Sequence, residues 1–384
     1  MDRFDDIRPY RDDEVREVLA RLLADDEFIG VIARLRLPRG SRYVPWLVRP
    51  LVRFMIGRQV AGAHDVKSFQ ALVKHYMDRM VETTTSGFTV SGLDALGKDS
   101  PYLFISNHRD IALDPAFVNY ALYHNGRDTV RIAIGDNLLS KPFASDLMRL
   151  NKSFIVKRSA KAPRQMLAAT KHLSAYIRHS IEVDRSPIWL AQREGRAKDG
   201  RDRTEPAIIK MLAMSMDRHA ESLGQHVQRL RIVPVAISYE FDPCDAAKAR
   251  ELHLRTASGS YAKAAHEDLA SIGAGIAGHK GNVHVAFGRP LEGEFADADD
   301  VAQAIDRQIF GLYVLHPTNF FAWHALHGSY PALPCGAEAR AFDPAHYAAE
   351  KRAFDARIAQ IPEAQRAIAL GIYANVVAAK LAAA

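Results

Sequence analysis

Apolar positions in this chain change their spacing twice. Over residues 1 to about 85 they recur at helical intervals, as Val15, Val18, Leu19, Leu22 and Leu23 do, so that one face of each turn is apolar. Pro38, Gly40 and Ser41 break that pattern. From about 86 to 295 short apolar runs take over, at 102–105, 130–134, 153–156, 188–191, 232–237 and 283–287, with helical stretches between them. Strands alternating with helices predict an α/β fold with a mostly parallel or mixed central sheet flanked by helices. Beyond about 300 the spacing is helical again. The expected organisation is therefore a helical N-terminal region (1–85), an α/β domain (86–299) and a helical C-terminal region packed on it (300–384). No internal repeat and no low-complexity linker interrupts the series.

Composition narrows the partners. Two cysteines, Cys244 and Cys335, lack CxxC spacing, which argues against a disulfide scaffold and a zinc site and fits a reducing compartment. The sixteen histidines form no HExxH or Cys/His cluster, so no metal is expected. A net charge of +6 attracts anions, whether nucleic acid, acidic headgroups or phosphorylated metabolites. Aromatic residues are not interleaved with the basic ones as base stacking requires, so nucleic acid is not an expected partner.

The acidic start, Met1 to Asp6, lacks the apolar run of a secretory signal, and no apolar stretch reaches spanning length. The segment 43–62 comes nearest. It carries Trp46, Leu47, Leu51, Phe54 and Met55 among Arg49, Arg53 and Arg58. That mixture suits a helix lying on an anionic bilayer, and equally a core helix with snorkelling arginines. The alanine-rich tail 367–384 reads as a packed terminal helix.

Candidate chemistry gathers where strands end, as ligand sites do in α/β sheets. The strand at 102–105 runs out at Ser106 into Asn107, His108, Arg109 and Asp110, with Asp114 and Pro115 beyond. Histidine titrates near neutrality and suits general-base work, and a carboxylate on its second ring nitrogen fixes the tautomer. Asp110 and Asp114 are both available. Asp114 before Pro115 also has the look of a helix cap. A second strand ends in Lys157 and Arg158, a third in a basic loop from Gln192 to Gly200, and a fourth at Tyr239 and Glu240. A base beside clustered cations suits an acceptor bearing both a hydroxyl and a phosphate.

Other motifs fall away. Gly273, Gly275 and Gly278 match GxGxxG, but a helix precedes them and a strand follows, the reverse of a dinucleotide site. No GxSxG elbow occurs.

The run Asn107-His108-Arg109-Asp110-Ile111-Ala112-Leu113-Asp114 resembles the NHxxxxD motif of the glycerolipid acyltransferases, the glycerol-3-phosphate and lysophosphatidic acid acyltransferase family. The later blocks resemble that family's second to fourth motifs in order, over roughly residues 100–240. Gly135 to Leu138 and the run from Met148 to Arg158 are similar to the glycerol-3-phosphate branch. The resemblance implies His108 and Asp114 as the catalytic pair. It implies substrate-binding roles for Asn107, Arg109, Arg158, Glu194, Gly195, Arg196 and Lys198, with Arg158 on the acceptor phosphate.

It implies, too, an acyl-CoA or acyl-ACP donor used as co-substrate with no cofactor, a glycerol-phosphate-type acceptor, and a peripheral place on the cytoplasmic face of an anionic membrane. One departure stands out. The family motif is E-G-x-R, whereas Glu194-Gly195-Arg196 is contiguous, so either Arg196 or Lys198 is the candidate ligand. An ungapped match puts Arg193 where the family has its glutamate.

Overall fold

Seven strands form the main sheet pairings: β1 (Thr85–Ser91), β2 (Leu103–Ser106), β3 (Arg131–Gly135), β4 (Ser153–Val156), β5 (Ile188–Ala191), β6 (Ile232–Tyr239) and β7 (Gly281–Phe287). The computed structural model describes residues 3–139, 141–159, 162–263 and 267–383. Met1, Asp2 and Ala384, at the ends of the expected first and last regions, lie outside the described residues. The chain divides into two units, and each is interleaved in sequence. One holds residues 1–78 and 131–176, the other 79–130 and 177–384.

The larger unit is built on a mixed sheet in the order β1-β7-β6-β2-β5. β2 lies parallel to both β5 and β6, β1 lies parallel to β7, and only the β6–β7 pair is antiparallel. The α/β expectation therefore holds, with a mixed sheet. Leu103, Phe104, Ile105, Ile188, Trp189, Val233 and Val235 are all buried, because a central parallel strand is covered on both faces and must be apolar throughout.

β1 departs from the sequence reading. Thr85, Gly87, Thr89 and Ser91 supply no apolar run, and no breaker separates them from the helix Val66–Thr84. Pairing with β7, rather than patterning, makes it a strand. At the C-terminus the helices Pro317–His327, Ala348–Ala359 and Glu363–Ala382 close a core containing Phe321, Phe354, Ile358, Ile372 and Tyr373.

The smaller unit pairs β3 with β4 in parallel. It packs helices Val15–Ala24, Asp26–Arg36 and Pro45–Val60 around Val15, Val18, Leu22, Ile29, Val48 and Val52. Arg21 and the Tyr10 hydroxyl both donate to Asp146, at 2.8 and 2.7 Å. The helix Pro45–Val60 buries only Val48 and Val52. Trp46, Leu47, Leu51, Phe54 and Met55 are exposed, Trp46 by 74%, and the helix contains no acidic residue. Among the described residues no helix is long and apolar enough to cross a membrane.

Candidate active site

β6, β2 and β5 are parallel neighbours, so their carboxyl ends open on one edge of the sheet. Just past that edge of β2, Asn107 turns inward. Its amide donates to the Ile237 carbonyl at 3.0 Å and accepts from the Ile237 N–H at 2.8 Å. That exchange stitches the loop to β6 and fixes where the next residue emerges. His108 is that residue, with 14% of its side chain exposed. Its ring meets Trp189 edge-on at 5.9 Å, and the Trp189 indole N–H is held by the Ser106 hydroxyl at 2.9 Å.

His108 Nδ1 lies 2.8 Å from Asp114 Oδ2. A carboxylate there accepts a hydrogen bond from the Nδ1–H group and leaves Nε2 as the basic atom. Asp114 is fully buried and well supplied with donors. Oδ2 also accepts the backbone N–H groups of Arg109 at 2.6 Å and Asp110 at 2.9 Å, while Oδ1 accepts the Tyr239 hydroxyl at 2.7 Å.

The choice between the two aspartates is settled by geometry. Asp110 Oδ1 accepts from the N–H groups of Ala112 and Leu113, at 3.0 and 2.9 Å, at the start of the helix Leu113–His124. The capping work expected of Asp114 is done by Asp110, and Asp114 sits one residue inside the helix. Burial, reinforced by the neighbouring Asp114 carboxylate, pushes the Asp110 carboxyl above its ordinary pKa. Gly275 belongs to this corner as well. A Cβ there would stand 2.4 Å from Asp110 Oδ2, so the helix Glu267–Ala277 passes this close only because the residue is glycine.

The remaining candidates divide by environment. Asn107 and Arg109 are buried and bonded within the protein. Arg109 forms an ion pair with Asp202 at 2.7 Å and donates to the carbonyls of Gly200 and Ile372. Asp202 in turn accepts the Tyr313 hydroxyl. Arg109 therefore ties the loop after β5 to the C-terminal helix Glu363–Ala382.

That loop runs close to His108, since the Ala197 N–H donates to the His108 carbonyl at 2.8 Å. Glu194 and Gly195 are exposed at its tip, and Gly195 has φ +72° with open space around its Cα. Arg196 donates to Ser271 Oγ at 2.6 Å and lies 3.9 Å from Asp268. Lys198 is paired with Glu251, and burial lowers its pKa although Glu251 opposes the shift. Arg158 belongs to the other unit. It is exposed after β4, and its backbone N–H donates to Asp136 Oδ1 at 3.1 Å.

The sequence names Tyr239 only as the end of a strand and gives it no role. Its only sequence signal is its position at the polar end of β6, the strand next to β2.

A histidine held by a buried aspartate at the carboxyl edge of parallel strands is an arrangement able to act as a general base. Residues 87–238 match the family model described as Acyltransferase, and they contain β2, β5, nearly all of β6 and the His108–Asp114 pair. This segment is thus similar to the acyltransferase family. Among solved structures the chain is similar to the 1-acyl-sn-glycerophosphate (LPA) acyltransferase PlsC from Thermotoga maritima. That similarity has 12% identity and a TM-score of 0.32, over 77% of this chain and 90% of that one. No curated protein matches the chain.

Proposed function

We propose that the chain transfers a fatty acyl group from acyl-CoA or acyl-ACP to a hydroxyl of glycerol 3-phosphate or a related lysophospholipid, without a cofactor. The observation that carries this is the 2.8 Å contact between His108 Nδ1 and Asp114 Oδ2, within a segment similar to the acyltransferase family. Nε2 of His108 takes the proton of the acceptor hydroxyl as that oxygen attacks the thioester carbonyl. The tetrahedral intermediate collapses with cleavage of the C–S bond, and the imidazolium returns the proton to the departing thiolate. The buried Asp114 carboxylate stabilises the imidazolium between the two transfers. No covalent acyl-enzyme is required.

Either Arg196 or Lys198 is the proposed phosphate ligand in the unit that carries His108, and Arg158 is the candidate that the other unit offers. A specific observation supports a second reading, an acceptor without phosphate. Arg196 lies on Ser271 and Asp268, and Lys198 on Glu251, so a phosphate would have to displace internal partners.

The proposed working place is the cytoplasmic face of an anionic membrane. The exposed Trp46, Leu47, Leu51, Phe54 and Met55, on a helix with arginines and no acidic residue, fit the lipid interface. The test is mass spectrometry of products after incubation with palmitoyl-CoA and a panel of acceptors: glycerol 3-phosphate, lysophosphatidic acid, glycerol and an aminolipid. Acylation of a phosphorylated acceptor supports the first reading and acylation of glycerol alone the second. No acylated product from any acceptor would point to a module that only binds lipid.

A further inference from the structure

From the arrangement around Asp114 we infer that Tyr239 is a positioning residue for acyl transfer, its hydroxyl holding the carboxylate that aims His108. This rests on the reading of His108 and Asp114 as the catalytic pair. The donors on Asp114 are unevenly shared. Oδ2 receives three, from His108 Nδ1 and the N–H groups of Arg109 and Asp110, all within one short loop. The hydroxyl of Tyr239, at 2.7 Å on Oδ1, comes from a different strand. A carboxylate gripped at one oxygen by a single loop swings with that loop. A second grip from β6 on the other oxygen fixes its plane and thereby the direction of the His108 ring.

Tyr239 is itself braced. Its ring packs against Phe117 at 5.8 Å, on the same helix that carries Asp114. Its surroundings keep it a donor, because burial and the Asp114 charge hold the phenol well above its ordinary pKa. The other charged groups facing the pair are Asp110, Asp202 and Asp242. Arg109 neutralises Asp202, and Lys248 neutralises Asp242. A change confined to the phenol leaves all of these in place.

A hydrogen bond from Tyr239 draws charge from Asp114 and so weakens its pull on the His108 imidazolium. Its strength therefore tunes how firmly the imidazolium is held. A purely structural cross-link between β6 and the helix would not change that hold in a graded way.

The experiment compares wild type, Tyr239→Phe and the variant with 3-fluorotyrosine at position 239, with palmitoyl-CoA and the best acceptor. Tyr239→Phe is expected to lower kcat about tenfold, the small end for loss of a bond to a charged group, with the thioester KM nearly unchanged. The acid limb of its kcat/KM profile moves to higher pH. The fluorotyrosine, a stronger donor, moves that limb to lower pH.

Opposite shifts uphold the inference. Unchanged profiles, or shifts in the same direction, overturn it. If the phenylalanine variant fails to fold, the fluorotyrosine limb alone decides, and no downward shift refutes. His108→Ala is run beside them. Full activity there sinks the underlying catalytic reading, whereas an inactive His108→Ala with unmoved Tyr239 profiles sinks only the role given to Tyr239.

Discussion

Replacing Asp114 by asparagine separates what this residue does for the fold from what it does for the reaction. The wild-type carboxylate accepts four donors: His108 Nδ1, the Arg109 and Asp110 N–H groups and the Tyr239 hydroxyl. Asparagine retains one carbonyl oxygen. Placed at the Oδ2 position, that oxygen keeps the three loop donors, and the amide NH2 falls opposite Tyr239, whose hydroxyl can rotate to accept. Asp114→Asn is thus expected to fold.

What it loses is charge. A hydrogen bond to a charged group contributes about 1.5–3 kcal/mol, so loss of imidazolium stabilisation should slow turnover by roughly 10- to 150-fold.

Alanine is a poorer probe. It leaves two buried N–H groups and a hydroxyl without an acceptor. At about 1–3 kcal/mol each, the sum of roughly 3–9 kcal/mol is comparable to the whole stability of a domain. The assay is thiol release from palmitoyl-CoA, read beside a thermal melt. A folded Asp114→Asn protein with wild-type turnover would refute the reasoning and leave Asp114 a structural residue only.

Further outcomes follow from other parts of the molecule. Arg109→Ala should reduce stability by about 3–5 kcal/mol, because it strands the buried Asp202 charge. A stable variant with a raised acceptor KM would restore a substrate-binding role for Arg109. Burial holds His284 and His316 down to about 4, so the folded state keeps them neutral while unfolded histidines protonate below about 6.5. Stability is then full above pH 6.5 and falls as pH drops towards 4, by on the order of 3 kcal/mol per histidine. Urea melts at pH 7 and pH 5 that gave the same midpoint would contradict this.

Changing Arg49, Arg53 and Arg58 to Gln should weaken binding to anionic vesicles, by about 1 kcal/mol per residue at low salt. Sedimentation with neutral vesicles as control reads the effect, and equal binding to both kinds counts against the proposed docking helix. For a phosphorylated acceptor, Arg158→Ala should reduce kcat/KM at least about tenfold and Arg158→Lys should recover only part. Unaltered kinetics in Arg158→Ala would remove Arg158 from the proposed site.

The parts legible in the sequence share one physical cause. β2 and β6 are central strands and β5 is buried beside them; such burial demands unbroken apolar runs, and the polar residues after Ser106 then stand out as a strand end. β1 is an edge strand without such a demand, and its Thr, Ser and Gly residues carry no pattern. Asp110 meets only local N–H groups whereas Asp114 also meets the His108 ring and the Tyr239 hydroxyl, a matter of loop geometry that spacing does not carry. Arg109 reads as a ligand because it flanks His108. Its partners are Asp202, Gly200 and Ile372, and such pairings appear only once the chain has folded. Tyr239 was overlooked for the same reason, since its partner Asp114 lies 125 positions away.

The account stands most directly on His108. Thiol release from palmitoyl-CoA in the presence of the best acceptor should be compared between wild type and His108→Ala, both shown to be folded by thermal melts. Without the His108 ring, Asp114 keeps the Arg109 and Asp110 N–H groups and the Tyr239 hydroxyl as donors, so the variant is expected to fold, and loss of the general base should slow turnover by about 10²–10⁴-fold. A folded His108→Ala enzyme releasing thiol and forming acylated product at close to the wild-type rate would contradict the account.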